Sequence, residues 1–239
     1  MPRNSRNCSS AAMSRWRPTS DAAADLIASL RHQPLLVVLR PSNPQQAVRA
    51  ITALAALGVH HVELAWRADP AWVGECRELI QAFPGLRLGA ASLCSAAALE
   101  DARGAGFSYA VSPVLDRDLV EQAGPDLVLV PGVMTPTEVH QARAWGCALV
   151  KLFPAAPLGA SYWRRLVPPL GTSLPFCIAA GGLAAGDVLP WLEAGVDAVA
   201  LGSSLRVSEA GELDGEGPLR SLVASLTASL TARLTARSA

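Results

Sequence analysis

Residues 35–66 read LLVVLRPSNPQQAVRAITALAALGVHHVELAW and contain the pattern from which the rest of the chain is built. An apolar run, LLVVLR (35–40), precedes an alanine-rich stretch, NPQQAVRAITALAALG (43–58), and a second apolar run, HVELAW (61–66), follows. Asn43 is placed to cap a helix, Pro44 suits its first turn and Gly58 suits its end. Continuously apolar strands joined by a helix predict a parallel β-α-β unit that is covered on both faces.

Six further apolar runs follow at similar intervals. They are LRLGAAS (86–92), SYAVS (108–112), DLVLVPG (126–132), ALVKLF (148–153), FCIAAGG (176–182) and AVALGSS (198–204). Helical stretches separate them; TPTEVHQARAWG (135–146) has a capping threonine, a first-turn proline and a capping-box glutamate. Eight β-α units predict an α/β fold of the (β/α)8 TIM-barrel type, formed as a single domain by residues 21–239. A doubly wound open sheet is the alternative, but no GxGxxG follows the first strand.

Composition narrows the class of partner. Twenty acidic residues balance twenty basic ones at a pI of about 6.9, which argues against a nucleic-acid or anionic-membrane surface and favours a small-molecule partner. The five cysteines form no CxxC pair and the four histidines have no metal-ligand spacing, so we expect no disulfide framework and no metal site. We expect a cytoplasmic protein, since neither a secretory signal nor an apolar run of membrane-spanning length is present.

The two ends of the chain have unusual compositions. Residues 1–20 contain four arginines and no acid, and we interpret them as a disordered basic tail, or as a start site upstream of Met13, rather than as an organelle transit peptide. The near-repeat SLVASLTASLTARLTAR places Leu222, Leu226, Leu230 and Leu234 on one stripe, which predicts a final outer helix.

Polar residues gather at the predicted carboxyl ends of the strands, where a parallel barrel forms its active site. Arg40 ends the first strand, Ser92 ends the third, and Glu63 and Lys151 lie on the second and sixth. Because these strand ends surround one opening, we expect the four side chains to converge.

Lys151 is the only lysine of the chain. A buried amine loses hydration, which lowers its pKa and leaves a neutral nucleophile that can attack a carbonyl; an arginine stays protonated and cannot. The alternative is a lysine that extends from a strand end into solvent in an arginine-biased sequence.

Glu63 is a lone carboxylate within a strand that is otherwise suited to burial. Two interpretations stand: an ion pair with Arg67 or Arg40, or a general acid/base whose pKa burial raises toward neutrality. Two glycine turns, AAGGL (179–183) and ALGSSL (200–205), follow the last two strands and can present backbone N–H groups to a phosphate.

These residues, in this order, resemble the 2-keto-3-deoxy-6-phosphogluconate (KDPG) and 4-hydroxy-2-oxoglutarate aldolases, which are class I pyruvate aldolases. The resemblance runs from about Pro34 to Leu205 and rests on VVLR, GVHHVELAWR, LGAAS, VSP, LVPGVMTPTEV, VKLFPA and the two glycine turns. PGVMTPTE followed by KLFPA is its most specific part.

The resemblance implies a Schiff-base lysine at Lys151, a general acid/base acting through a water at Glu63, and carboxylate-binding groups at Arg40 and Ser92. It implies further that Pro113 and Phe153 wall the pyruvyl pocket. The phosphate would be received by backbone groups of the two glycine turns, at Gly181, Gly182, Gly202 and Ser203. It implies pyruvate and a phosphorylated 2-keto-3-deoxy sugar acid as ligands, no cofactor, and a homotrimer.

The sequence departs from the family pattern at three places. It has GAAS at 89–92 where the family commonly has GAGT, Ala179-Ala180 where Pro-Thr is usual, and no acid after FPA. These departures leave the choice between gluconate-type and galactonate-type sugar acids open. A barrel with isomerase or synthase chemistry, and a catalytically silent barrel that binds a phosphorylated metabolite, are the rival functions.

Overall fold

The structure is a computed structural model that describes residues 20–124, 126–205, 208 and 212–238, with side chains of the last helix through Ala228. The predicted basic tail lies outside the described residues apart from Ser20, as do the side chains of Leu230 and Leu234. Within the described part, nine helices alternate with parallel strands. The helices are α1 (Asp21–His32), α2 (Pro44–Ala56), α3 (Trp72–Ala82), α4 (Ala96–Ala105), α5 (Arg117–Ala123), α6 (Pro136–Ala144), α7 (Tyr162–Leu170), α8 (Val188–Glu193) and α9 (Glu216–Ser238).

All strands of the described residues pair in parallel in one sheet. They are β1 (Leu35–Leu39), β2 (His61–Ala65), β3 (Arg87–Ala91), β4 (Tyr109–Val111), β5 (Val128–Val130), β6 (Gly132–Val133), β7 (Leu149–Leu152), β8 (Phe176–Ala180) and β9 (Ala198–Leu201). β1 lies between β2 and β9, so the first and last strands are neighbours. That arrangement confirms the predicted TIM-type barrel and excludes the doubly wound sheet, whose first and last strands stay apart.

One predicted strand is divided. The run 126–132 becomes β5, which pairs with β4, and β6, which pairs with β7, and only Pro131 separates them. Proline has no N–H to donate to a ladder, so regular pairing stops there. The Pro131 carbonyl still accepts from the Lys151 N–H at 2.8 Å. The two short strands together take the place of the fifth barrel strand and close the sheet.

The helix caps follow the sequence signals. The Asn43 side chain accepts a hydrogen bond from the Gln46 N–H at 2.8 Å, and Pro44 occupies the first turn of α2. Thr135 and Glu138 form the predicted reciprocal capping box of α6. Each cap satisfies backbone N–H groups that a helix start leaves without partners, which fixes where the chain turns from strand to helix.

Apolar side chains form two separate layers. The outer layer lies between strands and helices and includes Leu222 and Leu226 of α9, the predicted final helix. The inner layer fills the barrel, where Leu26 and Leu30 of α1 pack with strand residues such as Leu149. The Ser29 Oγ lies 2.7 Å from the His61 Nε2 at the start of β2, so α1 covers the amino ends of the strands. The carboxyl ends form the other mouth of the barrel. No described helix has the length and apolarity of a membrane span.

Candidate active site

Glu63 and Lys151 both point into the barrel. In β2 the flanking Val62 and Leu64 belong to the outer apolar layer, and in β7 so do Val150 and Leu152. Alternation along a strand therefore directs the side chains between them inward. Glu63 is 1% exposed and Lys151 is 8% exposed. The burial of Lys151 excludes the interpretation in which its amine extends into solvent.

Burial lowers the pKa of Lys151 from its ordinary value, because the charged ammonium loses hydration. The carboxylate of Glu63 opposes this change and the Arg40 guanidinium adds to it. Lys151 is therefore closer to the neutral, nucleophilic state than a surface lysine is at the same pH.

Burial raises the pKa of Glu63 from 4.5 to about 7, and the positive charges of Lys151 and Arg40 partly oppose that rise. A carboxyl with a pKa near neutrality accepts and returns a proton with little loss of free energy. Both side chains face the barrel interior, and each charge affects the pKa of the other, which is consistent with one shared site.

The structure excludes the ion pairs that were the alternative for Glu63. Arg67 instead pairs with Asp69 at 3.1 Å and with Glu75 on α3. Across the described residues no ion pair joins Glu63 to Arg40 or to any other cation within 4.0 Å. Glu63 is thus a buried carboxyl without a fixed counter-ion, which is costly unless the group has a use.

Phe153 connects Lys151 to the first glycine turn. The Lys151 Nζ lies 4.4 Å from the centre of the Phe153 ring. The same ring lies against Gly181, where an added Cβ would fall 2.9 Å from two ring carbons. Gly181 and Gly182 both have positive φ, +97° and +80°, which glycine adopts without strain. The turn can therefore approach Phe153 closely with its backbone exposed.

Arg40 connects the amine–carboxyl pair to the second glycine turn. Its Nη1 lies 3.6 Å from the position that a Cβ on Gly202 would take. Arg40, Ser42, Gln46, Gly202 and Ser203 line part of a cavity of about 320 Å³ at this mouth of the barrel. A cation, two hydroxyls and a glycine turn around one cavity suit an anionic ligand.

Ser92 and Pro113 are near the site but less directly connected to it. Ser92 follows β3 with φ of +66°, the one positive φ among the described non-glycine residues. The Pro113 backbone packs against Gly132, where a Cβ would fall 2.3 Å from the Pro113 carbonyl, and Gly132 is the register partner of Lys151. Both residues therefore lie around the same opening, while their contacts with a ligand stay predictions.

Two residues near the pair were not singled out from the sequence. Cys94, exposed just beyond β3, acts electrostatically on Lys151 and weakly opposes the fall of its pKa. Tyr109 on β4 is buried, and the Glu63 charge helps to raise its pKa further above the ordinary value, after burial itself. The sequence feature that could have identified Tyr109 is a side chain with a hydroxyl at an inward-facing position of the predicted strand SYAVS (108–112).

No three His, Cys, Asp or Glu side chains of the described residues are grouped in a way that could hold a metal ion.

Comparison with known proteins identifies the family. The sequence model of the KDPG and KHG aldolase family, where KHG is 4-hydroxy-2-oxoglutarate, matches residues 26–215, most of the chain. The chain belongs to this aldolase family. It is 26% identical to the 2-dehydro-3-deoxy-6-phosphogalactonate aldolase of Escherichia coli K12 over 174 residues, 72% of this chain and 84% of that protein. It is 30% identical to the 2-dehydro-3-deoxy-phosphogluconate aldolase of Dickeya dadantii over 150 residues, 62% of this chain and 70% of that protein.

A solved structure supports the same grouping. The Zymomonas mobilis ZM4 2-keto-3-deoxy-6-phosphogluconate aldolase, solved with 3-phosphoglycerate, is 25% identical, with a TM-score of 0.69 over 84% of this chain and 95% of that one. The protein is accordingly an aldolase, and so a lyase. Its relatives carry the names of both gluconate-type and galactonate-type enzymes, so family membership alone leaves the sugar acid open.

Proposed function

We propose that this aldolase works through a Schiff base on Lys151 and cleaves 2-keto-3-deoxy-6-phosphogluconate to pyruvate and glyceraldehyde 3-phosphate. The observation that carries the proposal is the placement of the sole lysine inside the barrel, 8% exposed, with its pKa lowered by burial. Glu63 faces the same interior, is 1% exposed, and has no ion pair within the described part of the chain. An amine nucleophile and a proton carrier with a pKa near 7 are the two groups that such a cleavage needs.

In the first half of the reaction the neutral amine of Lys151 adds to the C2 carbonyl of the keto acid. Loss of water from the resulting carbinolamine gives a protonated imine. The C3–C4 bond then breaks, its electron pair moves toward the imine nitrogen, and the C4 hydroxyl becomes the aldehyde. Glu63 accepts the hydroxyl proton across a water molecule.

In the second half the enamine of pyruvate remains on Lys151. A proton, returned by the Glu63 carboxyl across water, adds to C3 and restores the imine. Water then hydrolyses the imine, which releases pyruvate and the free amine. No cofactor enters any step, since the imine itself accepts the electron pair.

The surrounding residues suit the two ends of the substrate. Arg40 and Ser92 would bind the carboxylate, and Phe153 and Pro113 would wall the pyruvyl carbons. The phosphate would bind backbone groups of the two glycine turns at Gly181, Gly182, Gly202 and Ser203. The positive φ of the first turn and the cavity beside the second are consistent with this assignment.

The galactonate-type epimer is the second candidate substrate. The two sugar acids differ at C4, the carbon whose hydroxyl is deprotonated, and both give the same products. Ala180, 4% exposed, stands where the family usually has a threonine, so this chain lacks a hydroxyl expected near the substrate. A galactonate-type relative also matches over most of this chain. The kcat/KM for each epimer and for unphosphorylated 4-hydroxy-2-oxoglutarate decides among them.

Trapping with borohydride tests the proposed chemistry directly. Reduction of the pyruvate imine should leave one 1-carboxyethyl group on the Lys151 nitrogen, detected by peptide mass analysis, because the only competing amine is the N-terminus. Absence of this adduct would contradict the Schiff-base mechanism and favour a barrel with isomerase or synthase chemistry. Binding of pyruvate without exchange of its methyl protons in deuterated water would favour the silent binding protein instead.

The oligomeric state and the cellular location of the protein are inferred in the same way. We infer a homotrimer that acts in the cytoplasm, as the family resemblance implies. Light scattering coupled to size-exclusion chromatography measures the first, and fractionation of the native cells measures the second.

A further inference from the structure

Tyr109 on β4 belongs to the inner apolar layer that fills the barrel. Its side chain is 1% exposed and its ring covers Gly89 on the neighbouring β3. A Cβ on Gly89 would fall 2.2 Å from the Tyr109 Cζ, the carbon that bears the hydroxyl. The far end of the ring therefore lies directly over the Gly89 backbone, in space that only the absence of a side chain provides.

The strand register places Glu63 on the other side of Gly89. Gly89 is the Cα partner of Glu63, and Ala90, the next residue, is the partner of Ala110. Tyr109, Gly89 and Glu63 consequently follow one another across three adjacent strands. Since neighbouring strands are about 4.8 Å apart, a ring that starts on β4 and crosses β3 carries its hydroxyl toward β2. The electrostatic effect of Glu63 on the Tyr109 phenol agrees with that direction.

The Tyr109 hydroxyl is buried and has no hydrogen-bond partner among the described residues. A buried hydroxyl without a partner has lost its hydrogen bonds to water and gained none in the protein, so its presence here calls for an explanation. The register directs this hydroxyl toward the strand that carries the Glu63 carboxylate. Hydrogen bonds at catalytic groups are often long in the free enzyme and shorten during the reaction.

We propose that Tyr109 is a positioning residue, whose hydroxyl donates a hydrogen bond to the ionised Glu63 carboxylate, directly or across one water molecule. The inference rests on the proposed function of Glu63 as a proton carrier. The donor stabilises the carboxylate at the moment it must accept the C4 hydroxyl proton, and it holds the carboxylate toward the floor of the site. The other charged groups that act on Glu63 are Lys151 from β7 and Arg40 from the end of β1; Arg87 at the start of β3 acts on Tyr109.

The substitution Tyr109→Phe tests the inference because it keeps the ring over Gly89 and removes only the hydroxyl. Loss of a donor to the ionised carboxylate should raise the pKa of Glu63. We expect the acid limb of the kcat/KM profile, and that of pyruvate methyl-proton exchange, to move upward by about one pH unit, or about tenfold in rate at a pH below the limb. The ¹³C resonance of the Glu63 carboxyl, assigned with Glu63→Gln, should titrate at correspondingly higher pH.

Tyr162→Phe is the matched control, since Tyr162 is the only other tyrosine and its hydroxyl donates to the Met134 carbonyl at 2.7 Å, away from Glu63. It should leave the acid limb in place. A Tyr109→Phe profile that falls equally at all pH values, with an unmoved carboxyl titration, would show a packing role only and overturn the inference. The carboxyl titration does not depend on turnover, so it tests Tyr109 even if wild-type protein forms no pyruvyl adduct and the proposed function fails.

Discussion

Glu63 on β2 and Lys151 on β7 face the same interior space without forming an ion pair, and each opposes the effect of burial on the pKa of the other. Burial disfavours both charges, whereas the attraction between them favours both. Each charge therefore partly offsets the cost of burying the other. That balance suits the nucleophile and the proton carrier of the proposed reaction.

The first prediction concerns Lys151→Arg. The guanidinium keeps the positive charge and much of the length of the side chain, but it stays protonated and cannot add to a carbonyl. We expect turnover below about 0.1% of wild type and no borohydride adduct. Pyruvate formation and peptide mass analysis measure the two results.

A second lysine placed elsewhere provides the control for trapping. Arg220 is exposed on α9 and pairs with Glu216 one turn earlier, an arrangement that a lysine can retain. Arg220→Lys should stay unmodified while Lys151 is trapped, and activity should be unchanged. Equal labelling of both lysines would mean that the reaction reports amine accessibility and not a catalytic imine.

The second prediction concerns the pH dependence of cleavage. Because burial raises the pKa of Glu63 to about 7, the carboxyl is protonated below that pH and cannot accept the C4 hydroxyl proton. The kcat/KM should therefore rise with pH through about 7. Glu63→Gln should lower it by about 10²–10⁴-fold and remove this limb, as measured by initial rates in overlapping buffers. An unchanged limb in the variant would assign it to another group.

The third prediction concerns stability. Between pH 4.5 and about 7 the unfolded chain releases a proton that folded Glu63 retains, so the raised pKa makes stability fall as pH rises through this window. Glu63→Gln cannot ionise and should lose that decline. We expect the variant to gain roughly 2–3 kcal/mol in free energy of unfolding, relative to wild type, between pH 4.5 and 8. Urea titrations at the two pH values measure the free energy of unfolding. An equal change in both proteins between those pH values would contradict the prediction.

The fourth prediction concerns the first glycine turn. An alanine at Gly181 would have to adopt a φ of +97°, and its Cβ would lie 2.9 Å from the Phe153 ring. Gly181→Ala should therefore lower the free energy of unfolding by about 1–2 kcal/mol and displace the ring from Lys151. We expect a higher KM for the phosphorylated substrate and a smaller change in pyruvate exchange. Thermal unfolding and initial rates measure these effects.

Gly186 supplies the control in the following turn. Its φ is not in the left-handed region, and no atom of the described residues lies within 4 Å of the position of an added Cβ. Gly186→Ala should change stability by less than about 0.5 kcal/mol and leave KM unaltered. Similar losses in the two variants would mean that the turn is sensitive to any substitution, and the specific role of Gly181 would be lost.

The sequence was sufficient for the barrel and for the direction of Glu63 and Lys151. Continuous apolar runs separated by capped helices define parallel strands, and alternation along each strand then selects the inward side chains. The break at Pro131 was missed because DLVLVPG has the composition of one strand, and only the pairing of its two halves with different neighbours reveals two. The ion pairs of Arg67 with Asp69 and Glu75 depend on how the loop after β2 folds, which no periodicity specifies.

Tyr109 was overlooked for a related reason. An aromatic residue in an apolar strand is typical of a core, and nothing in SYAVS says whether its hydroxyl has a partner. The answer requires Gly89 and Glu63, which are distant in sequence and meet Tyr109 only through strand register. Long-range register of this kind is the information that local patterns do not contain.

The helix α1 has a consequence for the order of events in the proposed reaction. Because it covers the amino ends of the strands and packs Leu26 and Leu30 into the barrel, we expect the reactants of the proposed reaction to enter at the carboxyl ends. In the proposed reaction the pyruvyl group is bound to Lys151, which is buried inside the barrel, whereas the phosphate of the aldehyde would bind the glycine turns after the last two strands. We therefore expect pyruvate to bind before the aldehyde in the synthetic direction, since an aldehyde that arrived first would lie between the entrance and Lys151.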